Sequence, residues 1–419
     1  MGVISQENTL RFPENFLWGT ATSPTQVEGN VQNEWTQFIA QDSTRCGLAC
    51  DHYNRYPEDI AWMHKLGTNA YRFGIEWSRL QDAPFAPLNQ KELAHYIDVI
   101  DRLRGAGITP MVVLHHFSNP PWINAAGGWV NRATVKAFVD YVSKLVAALK
   151  DRIYLWNTFN EPDTYACVAY LLGGFPPQQK WKFGQFRKII AHMARAHVQA
   201  SRIIRRQPAM DGRRPEVGIA KNWTFFHAYK KYSLWDRTTA FACHYTFNKF
   251  VLDAFLGGRR RRASTFVGLN YYGRVRFHHF AAMIPASGAP VKRLKDFGFV
   301  CDDMVERYPE GLEKILAYLQ RKFHLPIYIT EHGAASADEH FRARDLRENL
   351  GALHRAIQDG ADVRGFFYWS LLDNFEWQFG FTKKFGLLTV DFTDGKLTRT
   401  LKPLAEVYSK ICRTNEITL

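Results

Sequence analysis

Three glutamates follow apolar runs in this chain. Glu161 comes at the end of IYLWNTFNEP (153–162), Glu331 ends PIYITE (326–331), and Glu376 lies just beyond VRGFFYWSL (363–371) in DNFEW. A carboxylate directly after a core strand either faces water from a loop or is held at the mouth of a pocket. Two carboxylates facing each other across a pocket support glycosidic bond hydrolysis: a protonated one gives its proton to the leaving oxygen, and an ionised one attacks the anomeric carbon. A carboxyl separation of about 5–5.5 Å gives retention of configuration, and about 6.5–9.5 Å admits water and gives inversion.

Other groups suited to such a pocket stand near the ends of further apolar runs. The first run leads to Gln26, the second carries Arg72, the third ends in His115 and His116, and the fourth in Asn160 and Glu161. The sixth ends in Asn270, Tyr271 and Tyr272, and the eighth carries Trp369 and leads to Glu376 and Trp377. Side chains alternate across a strand, so one histidine and one tyrosine of each pair should face the pocket. To stay ionised Glu331 needs a cation and a hydroxyl, for which Arg72 and Tyr272 are candidates, while Glu161 as donor would have to hold its proton.

The elements that must present these groups are readable. Strands are expected at 16–22, 69–75, 109–117, 153–159, 216–222, 265–272, 326–331 and 363–371, several without polar alternation, as strands covered on both faces require. Helices fit about 55–66, 90–105, 134–149, 187–206, 236–256, 310–323, 341–358 and 402–412. Eight strand–helix pairs favour a single (β/α)8 TIM barrel of class α/β over residues 1–419, rather than a doubly wound sheet. In such a barrel the carboxyl ends of the strands face the reaction site.

Apolar residues make up 46% of the 419, enough for a large core and against disorder. The 12 tryptophans hint at flat apolar platforms for sugars. The net charge of +14 would attract polyanions, but the basic residues are dispersed apart from Arg259–Arg262 and accompany no nucleic-acid-binding motif. No specific nucleic-acid partner is therefore expected. Cys46, Cys50 and His52 lack a second ligand pair, so neither a metal nor another cofactor is expected. The opening MGVISQENTLRF contains no apolar stretch, and no run approaches membrane-spanning length, so a cytoplasmic protein without a membrane partner is the expectation.

The chain resembles glycoside hydrolase family 1, the β-glucosidase-type retaining enzymes, over essentially its whole length. The motifs are FPENFLWGTATSPTQVEG (12–29), DHYNRYPEDIAWMHKLGTNAYRFGIEWSRL (51–80), HHFSNPPW (115–122), TFNEP (158–162), GLNYY (268–272), YITEHG (328–333) and FYWSLLDNFEW (367–377). The resemblance implies that Glu161 is the general acid/base and Glu331 the nucleophile. It implies that Gln26, His116, Asn160, Glu376 and Trp377 bind sugar hydroxyls, that Trp369 stacks beneath the sugar, and that Arg72 and Tyr272 hold the nucleophile. A small β-glycoside is the implied partner: β-glucosides first, with β-fucosides and β-galactosides tolerated. Glu161 is an acid where related thioglucosidases carry Gln, and Glu376 as an anion would repel a 6-phosphate. The chain departs from the family at His332, where Asn is usual, at Phe117, where Trp is commonest, and in a short, Arg-rich 222–265. On the leaving-group side Trp129, Tyr165 and His332 are the candidates.

Overall fold

Eight runs dominated by β-branched and aromatic residues pair side by side, all parallel, into a closed barrel. They are β1 (Leu17–Ala21), β2 (Ala70–Gly74), β3 (Thr109–Val113), β4 (Leu155–Asn160), β5 (Glu216–Asn222), β6 (Val267–Asn270), β7 (Ile327–His332) and β8 (Val363–Trp369). β8 closes on β1 with Phe367 opposite Gly19. The computed structural model describes residues 9–149, 151–279, 281–283 and 300–419.

Between strands run the helices α1 (His52–Leu66), α2 (Gln90–Gly105), α3 (Ala133–Leu149), α4 (Phe183–Ile204), α5 (Leu234–Leu256, with a π-helical middle at His244–Phe250), α6 (Pro309–Phe323), α7 (Glu339–Gln358) and α8 (Pro403–Thr414). Each is amphipathic. In α3, Val135, Phe138, Val142, Leu145 and Leu149 fall on one stripe and are buried against the strands. Gly67 takes a left-handed conformation (φ 75°) just past α1, where its N–H caps the last turn. The order strand–helix, repeated eight times, is the one expected from the periodicity.

Large and small residues alternate inside the barrel. A Cβ on Gly19 would stand 2.5 Å from the Phe367 ring, and one on Gly218 would stand 2.6 Å from Phe266. These glycines leave the volume that the two rings fill, so the amino-terminal half of the barrel is solid core and the cavity is confined to the carboxyl ends.

The short 222–265 stretch has its own structure. Phe225–Ala228 pairs with Arg274–His278 at the rim, and the helix then descends to an exposed 3-10 turn at Gly258–Ala263 that carries Arg259–Arg262. That turn immediately precedes β6, so its charge lies at the end of the barrel opposite the cavity. The cysteine motif serves packing: Cys50 is buried with its Sγ on the Asp373 carbonyl, and His52 is bound to Asp59 at 2.7 Å, which Arg399 also holds. Among the described residues no helix is long and apolar enough to cross a membrane.

Candidate active site

The strand ends converge on a cavity of about 670 Å³, counting its open mouth. It is lined by His116, Asn160, Glu161, Tyr272, Glu331, Trp369, Glu376 and Trp377, together with Phe117, Thr164, Asn222, Thr224, Asp302, Met304, Val305 and Phe385.

Backbone irregularities aim these groups. The β4–β5 register slips between Asn157 and Asn160, and the β7 pairings slip between Ile329 and Glu331. Glu161 then takes a left-handed conformation (φ 40°) as the residue capping the helix Pro162–Tyr170. These features allow the consecutive Asn160 and Glu161 both to reach the cavity, which plain alternation forbids. Phe117 and Trp377 at the same rim are also left-handed (φ 62° and 51°).

One hydrogen-bonded chain connects the polar groups. Arg72, fully buried, donates to Glu331 Oε1 at 2.6 Å and to Asn160 Oδ1 at 2.6 Å. Tyr272 donates its hydroxyl to Glu331 Oε2 at 2.7 Å. The Asn160 carbonyl also accepts from Asn270 Nδ2 at 3.0 Å, and its amide donates to His116 Nε2 at 2.9 Å. Asn270 Nδ2 donates to Glu161 Oε1 at 2.6 Å, and Asn222 Nδ2 donates to Glu161 Oε2 at 3.1 Å. The two carboxylates therefore differ in kind: Glu331 is held by a cation and a phenol, Glu161 only by neutral amides.

Burial pushes the Glu331 carboxyl up to about 7; the Arg72 guanidinium pulls against this and the Glu161 charge adds to it. His116 is driven well below the usual histidine range by burial and by Arg72, which leaves a neutral imidazole. Glu376 accepts from Gln26 Nε2 at 3.1 Å, and burial with the nearby Glu331 charge pushes it up to about 8. This works against the expectation that Glu376 is an anion at neutral pH: burial, with the Glu331 and Glu161 charges adding to it, favours the protonated form. The argument against a 6-phosphate rests instead on the lining, which contains no Lys or Arg among the described residues.

Because these folded-state values lie above the unfolded ones, the two carboxyls favour folding most below about pH 4.5, and that contribution is lost as pH rises to about 7–8. Glu376→Gln should therefore raise Tm at pH 8.5, and the gain should vanish near pH 4.5. A gain independent of pH would show that ionisation of the buried Glu376 is not its cause.

His116, Trp369 and Trp377 form an aromatic wall. The His116 ring lies 5.9 Å from each indole, at interplanar angles of 28° and 24°. Of the paired candidates, His115 points away to Asn119 and Tyr271 bonds the Tyr308 carbonyl, leaving His116 and Tyr272 to the cavity. Gln26 is fully buried and touches the cavity only through Glu376.

The three leaving-group candidates are not brought together here. His332 follows Glu331 on β7 and points to the opposite face, where it bonds the Tyr271 carbonyl at 2.8 Å and lies 3.2 Å from Asp345. Trp129 is buried between Phe138 and Phe159, with its Nε1 on Asn119. Tyr165 meets the other end of that asparagine at 2.9 Å. The mouth beside Glu161 is instead bounded by Thr164, Asn222, Thr224, Met304 and Val305. Asp302 is there too, but the N–H groups of Met304, Val305 and Ala335 occupy its oxygens. Asn222 is not among the expected site residues, although it terminates the fifth strand, EVGIAKN, and so carries the same signal as the others.

The family model described as Glycosyl hydrolase family 1 matches residues 8–264 and 260–417. Beta-glucosidase A of Thermotoga maritima is 33% identical over an alignment 461 positions long, covering 97% of this chain and 99% of that protein. The 1,4-beta-D-glucan glucohydrolase of Thermotoga neapolitana is 32% identical, with 97% and 99% covered. Among solved structures, a beta-glycosidase from Pyrococcus horikoshii superposes with a TM-score of 0.85 at 34% identity, covering 98% of this chain and 97% of that one. The Thermotoga maritima beta-glucosidase in complex with deoxynojirimycin superposes at 0.83 with 30% identity, covering 97% and 99%. With a closed parallel eight-stranded barrel, polar groups gathered at its carboxyl rim and this match along its length, the chain is a glycoside hydrolase belonging to glycosyl hydrolase family 1.

Proposed function

We propose that the protein is a retaining β-glucosidase in which Glu331 attacks the anomeric carbon and Glu161 first protonates the leaving oxygen, then deprotonates the incoming water. One observation carries the assignment: the difference in donors around the two carboxylates. A guanidinium and a phenol stabilise a carboxylate on Glu331 and fix both of its oxygens. Glu161 has only amide partners, the longer of them on Oε2, so that oxygen is the one that can turn a proton to the leaving group while Asn222 holds it.

The covalent step balances simply. Glu331 forms the glycosyl ester as the C1–O bond breaks, and the Glu161 proton passes to the departing alkoxide. Water, deprotonated by Glu161, then displaces Glu331 from the opposite face, so that two inversions give retention. One amide hydrogen of Asn160 is left for the sugar, because its carbonyl is filled by Arg72 and Asn270 and its other hydrogen goes to His116. Trp369 offers a flat apolar face beneath the ring. Glu376, with Gln26 behind it, reads the hydroxyls at the closed end. A hydroxyl at C4 in either orientation fits that end, which admits β-fucosides and β-galactosides as slower substrates.

Aryl β-glucoside hydrolysis followed by proton NMR tests this reading: β-glucose should appear first and mutarotate later. Initial α-glucose would overturn the retaining assignment. In the same assay Glu376→Gln should weaken glucoside cleavage more than cleavage of the 6-deoxy fucoside, and equal losses would show that Glu376 does not read O6. The acid limb of kcat/KM, which requires ionised Glu331, should move to higher pH in Arg72→Met, because a stabilising cation is removed. An unmoved limb would assign that ionisation elsewhere.

A further inference from the structure

Behind the cavity wall, Lys221 and Asp163 form an ion pair at 2.7 Å with side chains 1% and 0% exposed. Lys221 precedes Asn222 on β5 and points to the other face, between the barrel and its helices. A lysine there is unexpected in a strand otherwise read as core, and burying two charges is costly unless their geometry is well satisfied. The lysine end is satisfied: the ammonium also donates to the Asn222 carbonyl and lies 3.4 Å from Asn248 Oδ1, with the Phe247 ring 4.6 Å away, whereas Asp163 Oδ1 has no hydrogen-bond partner among the described residues. Asn248 comes from the π-helical middle of α5, and its amide donates to the Thr224 carbonyl at 2.8 Å. The π-helical turn thus supplies an acceptor to the ammonium and a donor to a residue that lines the mouth.

Two rungs join the same two segments. In front, Asn222 Nδ2 donates to Glu161 Oε2 at 3.1 Å; behind, Lys221 donates to Asp163 at 2.7 Å. Glu161 and Asp163 share the start of one helix, and the Glu161 N–H donates to the Ala220 carbonyl of the same strand at 2.8 Å. We infer that the Lys221–Asp163 pair is a positioning device for Glu161: it fixes Asn222 against the acid/base carboxyl and places one cation and one anion behind it. This rests on the acid/base reading of Glu161 given above.

The electrostatic neighbourhood is small. Among the described residues Glu161, Cys167 and His244 act on or feel the pair, while Glu331, Glu376 and Tyr272 feel Glu161 from the cavity side. Burial pushes Asp163 up to about 7, with Lys221 pulling it back and Glu161 adding to the rise. Burial draws Lys221 down, and Asp163 and Glu161 oppose that. Glu161 raises both members, but the cation and the anion act on the Glu161 carboxyl with opposite sign, which gives a test that packing alone cannot imitate.

The experiment is the pH profile of kcat/KM for the full-length enzyme on a good and a poor aryl β-glucoside leaving group. The variants are Lys221→Met, Asp163→Asn and the double variant. Removing the cation should move the basic limb up by about one pH unit, and removing the anion should move it down by a similar amount. The double variant, which leaves no unpaired buried charge, should return the limb to its original place. It should nevertheless remain more impaired on the poor leaving group, because Asn222 is no longer tied.

Shifts of the same sign in both single variants, or unmoved limbs, would overturn the inference. So would a double variant with wild-type leaving-group dependence. Glu161→Ala measured alongside separates the two readings: without azide rescue to a β-glycosyl azide the acid/base assignment itself fails, whereas normal rescue with unmoved limbs removes only the positioning role.

Discussion

Glu331→Ala lowers kcat/KM by at least about 10⁵-fold, on the order of 7 kcal/mol of transition-state stabilisation, because the covalent route has no second carboxylate to carry it. Truncation also leaves Arg72 without its anion in a fully buried place. A small anion should fill that gap. With azide present the α face of the sugar is open to attack, and turnover should partly return with an α-glycosyl azide, inverted relative to the β-glucoside. The guanidinium and the Tyr272 hydroxyl, which now bind Glu331, would hold the azide in its place. An inverted azide from Glu161→Ala instead would exchange the two roles.

Glu161→Ala should give a loss that depends on the leaving group. Proton donation contributes about 10²–10⁴-fold when the departing oxygen is basic and little when it is already a good leaving group. Unactivated glucosides should then lose nearly all turnover, while an activated aryl glucoside should still form the covalent ester quickly and stall there. Azide, which needs no base, should release that ester from the β face and give a β-glycosyl azide. Equal losses on both substrates would mean that Glu161 does not protonate the leaving oxygen. Asn270 and Asn222 each lose one acceptor and keep another, on Asn160 and Thr164, so a small loss of local order is expected and a Tm measured alongside separates misfolding from chemistry.

The barrel was legible because its strands are covered on both faces and so read as short uninterrupted apolar runs, each followed by a helix with a one-sided stripe. The rule that chemistry stands at the carboxyl ends of strands then named most of the cavity wall. It would also have named Asn222 had the fifth end been read like the others. His332 was misplaced because a functional neighbour suggests proximity, whereas strand alternation sends it outward to Asp345. Trp129 and Tyr165, the other leaving-group candidates, are held behind the wall by packing around Asn119. Met304, Val305 and Phe385 lie on loops whose path depends on distant contacts, so no local pattern announces them. The upward push on the Glu376 carboxyl is illegible for a similar reason: it comes first from burial and then from the charges of Glu331 and Glu161, which belong to other parts of the chain.

The central claim, that Glu331 forms a covalent bond to the sugar, is tested most directly by trapping that bond. An activated 2-deoxy-2-fluoro-β-glucoside slows both steps through its fluorine, while its good leaving group keeps ester formation the faster one, so the intermediate accumulates. Peptide mass mapping should then find one fluoroglucosyl group per chain on the peptide containing YITEHG, attached to Glu331. An adduct on Glu161 or Glu376, or full hydrolysis of aryl glucosides with no adduct on any carboxylate, would contradict the account.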